Sequence, residues 1–322
     1  MIRFDYADET YLRIAYEAYL RWSTRPKYHD IFFPSSFILT TERGGSQALE
    51  NGYIPKTTAA LSKQDLAWVE LKNAAEVKAA APIISGRLAQ SGVYGYCNHQ
   101  AGWVDAQKAI AQLRDECIHY GVTFISGAGG TVTRLEKIPS GRILAANTLA
   151  GTSIVGDVFV LAAGAWSSSL ISMYNSTLST AQVVGYMSLT DKEMEKYKTL
   201  PIYINFTKGW FNFPPHEKSK ILKMAVHGWG YTRAPSQKEA SLLCSGVSMP
   251  PLASTSERRN YVPTDGEQRL RQGLCEILPE LAQRQFTKLA LCWYTDTSSG
   301  DFIIDVHPDH ENLFVAGGGS GQ

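Results

Sequence analysis

No stretch of this chain approaches the roughly 18–20 consecutive apolar residues of a membrane-spanning helix. The N-terminus, MIRFDYADETY, lacks the apolar core and cleavage site of a secretory signal. Neither sign of charge is in excess. The 31 Lys and Arg face 30 Asp and Glu, and a net charge of +1 gives no electrostatic case for nucleic acid or an anionic membrane. Cysteine is sparse: Cys97, Cys117, Cys244, Cys275 and Cys292 show no CxxC spacing and leave an odd one over. This argues against a secreted disulfide framework or a metal site, and for a reducing compartment, so a cytoplasmic location is expected. No GxGxxG turn, internal repeat or low-complexity linker occurs. What remains is an ordinary globular composition, 44% hydrophobic and 19% charged over 322 residues. That is enough chain for a sizeable core in two domains or one composite domain.

The pattern along the chain is mixed α and β. A helix is predicted over 8–22, capped by Asp8, with Leu12, Ala15, Tyr16, Tyr19 and Leu20 on one face. Pro26 ends it, and Phe32-Phe33 and Phe37-Ile38-Leu39 read as strands before a Gly44-Gly45 turn. Residues 63–80 read as one helix. Trp103, Ala106, Ile110, Leu113 and Cys117 form a second helical stripe, with Gly121 at its C′ position. Residues 122–125 read as a strand, 131–135 and 142–148 as a hairpin, and 157–164 as a fully buried strand. Short β-like runs at 182–190, 203–206, 210–213, 221–227 and 241–247 suggest an antiparallel sheet. A closing helix has Thr264 and Glu267 as a capping box, and Leu270, Leu274, Ile277, Leu278 and Leu281 as its apolar face.

Five segments carry candidate chemistry. Residues 159–166 end a strand in Ala162-Ala163-Gly164-Ala165-Trp166, where small side chains let backbone approach a dinucleotide. A strand end packed under a helix reads equally well. Residues 96–106 place Gly102-Trp103 before a helix, which by itself is helix entry with a core tryptophan. Lys223 and His227 lie four apart in a strand, so both point to one face. Alone they are an edge-strand lysine and a satisfied histidine. Arg3, in Ile-Arg-Phe-Asp-Tyr, is by itself an exposed terminal arginine. Last and most informative is 291–321. It couples Cys292-Trp293-Tyr294-Thr295 to Asp305, His307-Pro308 and a Gly317-Gly318-Gly319-Ser320-Gly321 turn. A lone cysteine beside tryptophan is ordinarily apolar filler.

Taken in order, from Arg3 to Gly321, these segments resemble the sarcosine oxidase-like and fructosyl amino acid oxidase (amadoriase) family of FAD-dependent amine oxidases. The resemblance implies an α/β (α+β) fold with two interleaved parts. One is an incomplete FAD-binding two-dinucleotide domain of the glutathione-reductase-like Rossmann type (1–45, 100–175 and 300–322). The other is an antiparallel-sheet substrate domain (46–99 and 176–299). Val132, Ala163, Gly164, Trp166, Gly318, Gly319, Ser320 and Gly321 would contact FAD, with Cys292 as its thioether tether. Lys223 would activate O2, His227 would line the substrate amine, and Arg3 would bind a carboxylate bidentately. Trp210 and Trp229 could line a roomy aromatic pocket or be sheet core. The expected partners are a small amine and O2, acting on a monomer with no nucleic acid or membrane. Family members open on a GxGxxG unit and continue past the glycine loop with Gly-Phe-Lys, and neither occurs here. That implies weak or no retention of FAD by this chain unless the thioether forms. It also keeps open a second reading, a catalytically inactive truncated remnant. The full-length gene product could be peroxisomal.

Overall fold

Local capping decides where the elements begin and end. Asp8 opens the first helix, its Oδ1 accepting from Thr10 N–H at 2.8 Å and Tyr11 N–H at 3.0 Å. The computed structural model describes residues 1–44, 52–243, 247–252 and 261–319. In chain order the strands are β1 (Phe32–Glu42), β2 (Val69–Leu71), β3 (Val93–Val104), β4 (Val132–Lys137), β5 (Ile143–Thr148), β6 (Ser153–Val155), β7 (Phe159–Leu161), β8 (Thr177–Ser188), β9 (Ile202–Asn205), β10 (Trp210–His216), β11 (Ile221–Tyr231), β12 (Lys288–Thr297), β13 (Ile303–His307) and β14 (His310–Gly317). The helices are α1 (Glu9–Thr24), α2 (Ile54–Lys63), α3 (Ala74–Ala80), α4 (Ala106–His119), α5 (Ser167–Leu170), α6 (Asp191–Tyr197), α7 (Gln237–Leu242) and α8 (Thr264–Ile277). None is long and apolar enough to cross a membrane.

The chain divides into two units, each drawn from three segments. The first comprises Met1–Cys117, Val183–Gly228 and Asn260–Ala290; the second comprises Ile118–Gln182, Trp229–Arg259 and Leu291–Gln322. Residues 1–45 and 100–117 thus fall in the first unit, and 118–175 and 300–322 in the second.

The first unit is built on a sheet of order β12-β8-β11-β10-β9-β1-β3-β2, to which β8, β11 and β12 contribute the parts within that unit. The β1–β3, β2–β3, β9–β10 and β10–β11 pairings are antiparallel and β1–β9 is parallel. The closing helix presents the predicted face: Leu270, Leu274, Ile277, Leu278 and Leu281 are all buried. Gly273 on the same helix lies directly under the indole of Trp210, whose Nε1 donates to Leu270 O at 3.0 Å.

In the second unit, β4–β5–β6 form one antiparallel sheet, and the turn before β5 uses Gly141 at φ +92°. The other sheet is β13-β14-β7, with β14 and β7 parallel. Leu161, Leu313 and Val315 fill its inner face.

Several sequence expectations change. The 63–80 helix is two helices with β2 between them. Asp65, at φ +55°, ends the first, and Asn73 caps the second by accepting from Ala75 and Glu76 N–H. Trp103 belongs to β3, where it stacks on Phe33 at 4.4 Å, and the helix starts only at Ala106. Residues 241–247 are not a strand: Ser236 and Glu239 form a capping box for α7, which takes 241 and 242. Residues 244–246 lie outside the described residues, as does Gly45 of the expected turn. At α8 no side chain caps the N-terminus, because Glu267 pairs with Arg271 instead. Residues 122–125, expected as a strand, form no strand and belong to none of the sheets.

The fully buried strand expected over 157–164 is only the short β7, Phe159–Leu161, and it is buried on one side only, with Val160 65% exposed. On the adjoining strands Ile304, Val306 and Phe314 are exposed as well. Parallel strands are ordinarily covered on both faces, so the apolar side chains here follow the two-sided pattern while the fold covers one side.

Two outcomes are expected. Gly273→Ala gains about 1 kcal/mol of helix propensity. It also drives a Cβ to within 2.2 Å of Trp210, and overpacking costs about 1–3 kcal/mol. Urea unfolding should therefore show a net loss of stability rather than the usual gain. A hydrophobic-surface dye should brighten on the native protein, and Ile304→Lys with Phe314→Lys should remove most of that signal. Because both side chains are exposed, the unfolding midpoint should stay within about 0.5 kcal/mol of wild type.

Candidate functional site

In the first unit the site starts from a bridge at the start of the chain. Ile2 exchanges both backbone hydrogen bonds with Gly102 of β3, at 2.7 and 2.9 Å. A side chain at 102 would collide with the Phe32 ring and Phe33 O at 2.6 Å, so this close approach needs glycine. The bridge sets Arg3 inward. Its guanidinium lies 4.4 Å from the Tyr6 ring centre and 5.5 Å from that of Phe37. Nη1 donates to Asp5 O and to Tyr53 OH at 3.1 Å, while Tyr53 OH donates to Asp5 O at 2.9 Å. Nε and Nη2 bond to no acceptor among the described residues. Burial works against the Arg3 charge, but Tyr53, Tyr6, Tyr96 and Asp5 outweigh it, and the guanidinium is held still more firmly protonated than usual.

Lys223 and His227 share a face of β11, as their spacing requires. The Lys223 ammonium lies 5.1 Å from the Phe213 ring and 5.9 Å from Tyr186. His227 is placed by its backbone: its N–H donates to Gly209 O at 2.8 Å. Gly209 has φ +64°, and a Cβ there would sit 1.6 Å from His227 O. Lys223 and Arg3 are neighbours through a third group. The Met1 amino group is buried and pushed down to about 5, first by burial and then by the charges of Lys223 and of Arg3. The structure therefore gathers Arg3 and Lys223 into one electropositive, aromatic-walled region.

Trp210 takes no part in it, being fully enclosed in the core against α8. Trp229 is 98% exposed, in the second unit. Sequence reasoning missed Asp5, Asn98, Tyr53 and Tyr96, all buried or half-buried around Arg3. Reading 96–106 as a helix entry hid Tyr96 and Asn98, whose strand alternation is the signal that finds them.

In the second unit, Val132, Ala163 and Trp166 line one cavity of about 700 Å³. Gly164 follows at φ +53°. Gly130 and Ala162 keep the wall thin, and no charged side chain lines it. Such a cavity suits the flat, uncharged end of a dinucleotide rather than its phosphates. Cys292 is exposed on β12 and forms no disulfide among the described residues. Two residues on, Tyr294 is pushed up to about 12, chiefly by burial and then by Cys292 and Asp296. The same strand is tied to the glycine loop, Thr295 N–H donating to Gly319 O at 3.2 Å. Gly318 in that loop has φ +75°, with Asp301 O 2.7 Å from where a Cβ would stand. Ser320 and Gly321 lie outside the described residues.

His307, Asp309 and His310 also cluster in the second unit. Their ligand atoms are already engaged. His307 Nε2 bonds Ser172 O at 2.8 Å and its Nδ1 accepts from Asp309 N–H at 3.2 Å. His310 Nδ1 bonds Gly141 O, and the Asp309 carboxylate accepts from Tyr174 OH. These contacts staple the β13–β14 hairpin.

The model of the FAD dependent oxidoreductase (DAO) family matches residues 1–322. The chain belongs to this family. It is similar to L-saccharopine oxidase of Schizosaccharomyces pombe, 25% identical over all of this chain and 75% of that protein. It is also similar to monomeric sarcosine oxidase of Bacillus sp. strain B-0618, 24% identical over all of this chain and 76% of that protein. Among solved structures, fructosyl peptide oxidase from E. terrenum superimposes with a TM-score of 0.80, at 25% identity over 98% of this chain and 72% of that one. Fructosamine oxidase (Amadoriase II) from Aspergillus fumigatus gives 0.81, at 25% identity over 98% and 68%. Family membership makes FAD the cofactor, and the second-unit cavity is lined without charge. Ala163→Phe fills part of that cavity. It should weaken FAD binding by about tenfold or more, or about 1.4 kcal/mol, measured by quenching of flavin fluorescence.

Proposed function

We propose that this chain is an FAD-dependent amine oxidase that oxidises the C–N bond of a secondary amine or N-substituted amino acid. The amine and O2 give an imine and H2O2, and water then hydrolyses the imine. The observation that carries this reading is Arg3. Its fork keeps Nε and Nη2 open while Nη1 is tied down, so two parallel donors await one planar carboxylate. Tyr6 and Phe37 exclude water from the guanidinium and strengthen that pairing.

When bound, FAD supplies the hydride acceptor and the route for electrons to O2. The chain's residues do the rest. Arg3 fixes the substrate by its carboxylate, and the aromatic wall shields it. Lys223 supplies a fixed positive charge, steadied by Phe213 and Tyr186, where anionic oxygen would form. His227 lines the amine. In the second unit Val132, Ala163, Gly164 and Trp166 would hold the adenosine end, Gly318 and Gly319 would present backbone to the flavin, and Cys292 would offer an exposed thiol as its covalent tether. The similarity to sarcosine and saccharopine oxidases and to fructosyl peptide oxidases supports an amino acid-derived amine as substrate. The family match over 1–322 favours an enzyme over an inactive remnant.

The test is a peroxide assay with saturating FAD on a panel of N-methylglycine, pipecolate, saccharopine and a fructosyl amino acid. At least one should yield H2O2. Arg3→Met should lower kcat/KM about 100-fold, chiefly through KM, as expected for losing a charged hydrogen-bond pair of about 1.5–3 kcal/mol. Lys223→Met should slow the O2-dependent half-reaction while sparing anaerobic flavin reduction. Peroxide from none of the panel, with FAD bound, would overturn the proposal.

A further inference from the structure

Asp5 is a buried carboxyl that the proposed reaction does not use. It is 0% exposed, and Asn98, equally buried, donates from Nδ2 to Oδ1 at 3.0 Å. Asn98 is itself fixed, its Oδ1 accepting from Gln100 N–H at 2.8 Å. The other oxygen of Asp5, Oδ2, is buried without a partner, and so is the hydroxyl of Tyr96. Arg3, two residues away, bonds the Asp5 backbone carbonyl and not its carboxylate. An arginine beside an aspartate ordinarily takes the carboxylate as a paired, bidentate acceptor. Here the guanidinium is withheld from the aspartate and its fork is left open. A carboxylate with one solvated-equivalent contact and one bare oxygen is poorly suited to stay ionised in this enclosure.

We propose that Asp5 is a positioning residue that regulates the charge of Arg3: a ligand carboxylate entering the Arg3 fork is accompanied by uptake of one proton onto Asp5. The balance is simple. One negative charge arrives with the ligand, one is removed when a bulk proton converts the Asp5 carboxylate to carboxylic acid, and Arg3 stays cationic throughout. With Asp5 ionised, Arg3 and Asp5 together present no net charge; with Asp5 protonated, the full charge of Arg3 faces the ligand. The groups that face this pair are Tyr6, Tyr53, Tyr96 and Cys97, with the Met1 amino group and Lys223 on the Arg3 side. Tyr6, Tyr96 and Cys97 are neutral near pH 7, each pushed further up, first by burial. Burial likewise raises Asp5 above its ordinary 3.8, against the pull of Arg3, of Asn98 and of the backbone N–H groups of Phe4 and Asp5 itself. The folded protein therefore holds this proton to higher pH than the unfolded chain. Stability contributed by the protonated form is lost as pH rises through the folded value.

This inference rests on the reading of Arg3 as a carboxylate receptor, and the experiment separates the two. The probe is benzoate, a rigid carboxylate with no oxidisable C–N bond. Its binding to the full chain is measured by calorimetry in two buffers of different ionisation enthalpy, from pH 5 to 8, for wild type, Asp5→Asn and Arg3→Met. Wild type should take up a proton on binding and lose affinity as pH rises. Asp5→Asn keeps the shape and the Asn98 contact, and leaves the Met1 amino group in place. It should lose the Asp5 share of that uptake and bind benzoate about tenfold more tightly than wild type at pH 8, within the usual range for coupled sites. A merely structural role for Asp5 would leave the proton count unchanged. Should Asp5→Asn fail to fold, Asp5→Ser, which removes the same titrating group, is measured in its place. If wild type binds and Arg3→Met does not, but Asp5→Asn alters neither proton count nor pH profile, the Asp5 inference is overturned and the Arg3 reading stands. If wild type and Arg3→Met bind benzoate equally, or neither binds it, both fail.

Discussion

A guanidinium withdrawn from water is the constraint on which the first unit depends. An unpaired buried charge costs several kcal/mol, so the groups that make Arg3 tolerable must be rigid. They come from three places in the sequence. The backbone of 1–6 supplies a carbonyl, Tyr53 a hydroxyl, and Tyr6 and Phe37 their ring faces. Each is anchored in turn: Phe37 lies in the middle of β1, and the start of the chain is pinned to β3 at Gly102. The charge thereby specifies how a non-sheet segment docks on a sheet. Apolar burial alone would not, since Phe4 packs on Tyr16 and Tyr19 with no directional demand. The satisfaction is also partial, and a charge held by only one nitrogen of its fork is stable enough to fold and still open to a ligand.

Periodicity and capping made much of the fold legible. The last helix was written in spacing that tertiary structure did not override, because its apolar face is the one buried; of the first helix's expected face Leu12 is buried, Ala15, Tyr16 and Tyr19 are half-buried and Leu20 is exposed. The misses share a cause. Over 63–80 the apolar count favoured one helix, but Asn73 offers its side chain to the backbone and starts a new element, a local bond worth about 1 kcal/mol. At Trp103 the helix period continued into a strand because one aromatic suited both patterns. Hydrophobic spacing records which residues want burial, and only caps and partners decide the backbone that buries them.

The site was legible to a different degree. Strand alternation puts Lys223 and His227 on one face of β11, but their roles rest on the family resemblance and not on that spacing. The enclosure of Trp210 was not legible, because an aromatic in a strand gives no sign of which neighbour will enclose it; Gly273, sixty-three positions on, is what does so. Asp5 was invisible for a related reason. Its meaning lies in what it fails to bond, and an unpartnered oxygen has no sequence signature.

The same logic connects the two kinds of incompleteness in the molecule. In the second unit the bare apolar side of β7 and β14 is a surface whose residues were chosen for contact. In the first, the open edge of Arg3 and the bare oxygen of Asp5 are polar groups whose geometry was chosen for contact. Both raise the free energy of the chain as it stands, and both cost less once a complementary surface arrives. Their chemistry differs in what it can transmit. An apolar face responds only to coverage. A cation beside a titratable acid responds to charge, so binding at Arg3 is felt as proton affinity at Asp5 and, by reciprocity, the proton at Asp5 is felt as ligand affinity at Arg3. A site that handles amines needs such coupling, because the substrate's own protonation state decides whether its nitrogen can be oxidised.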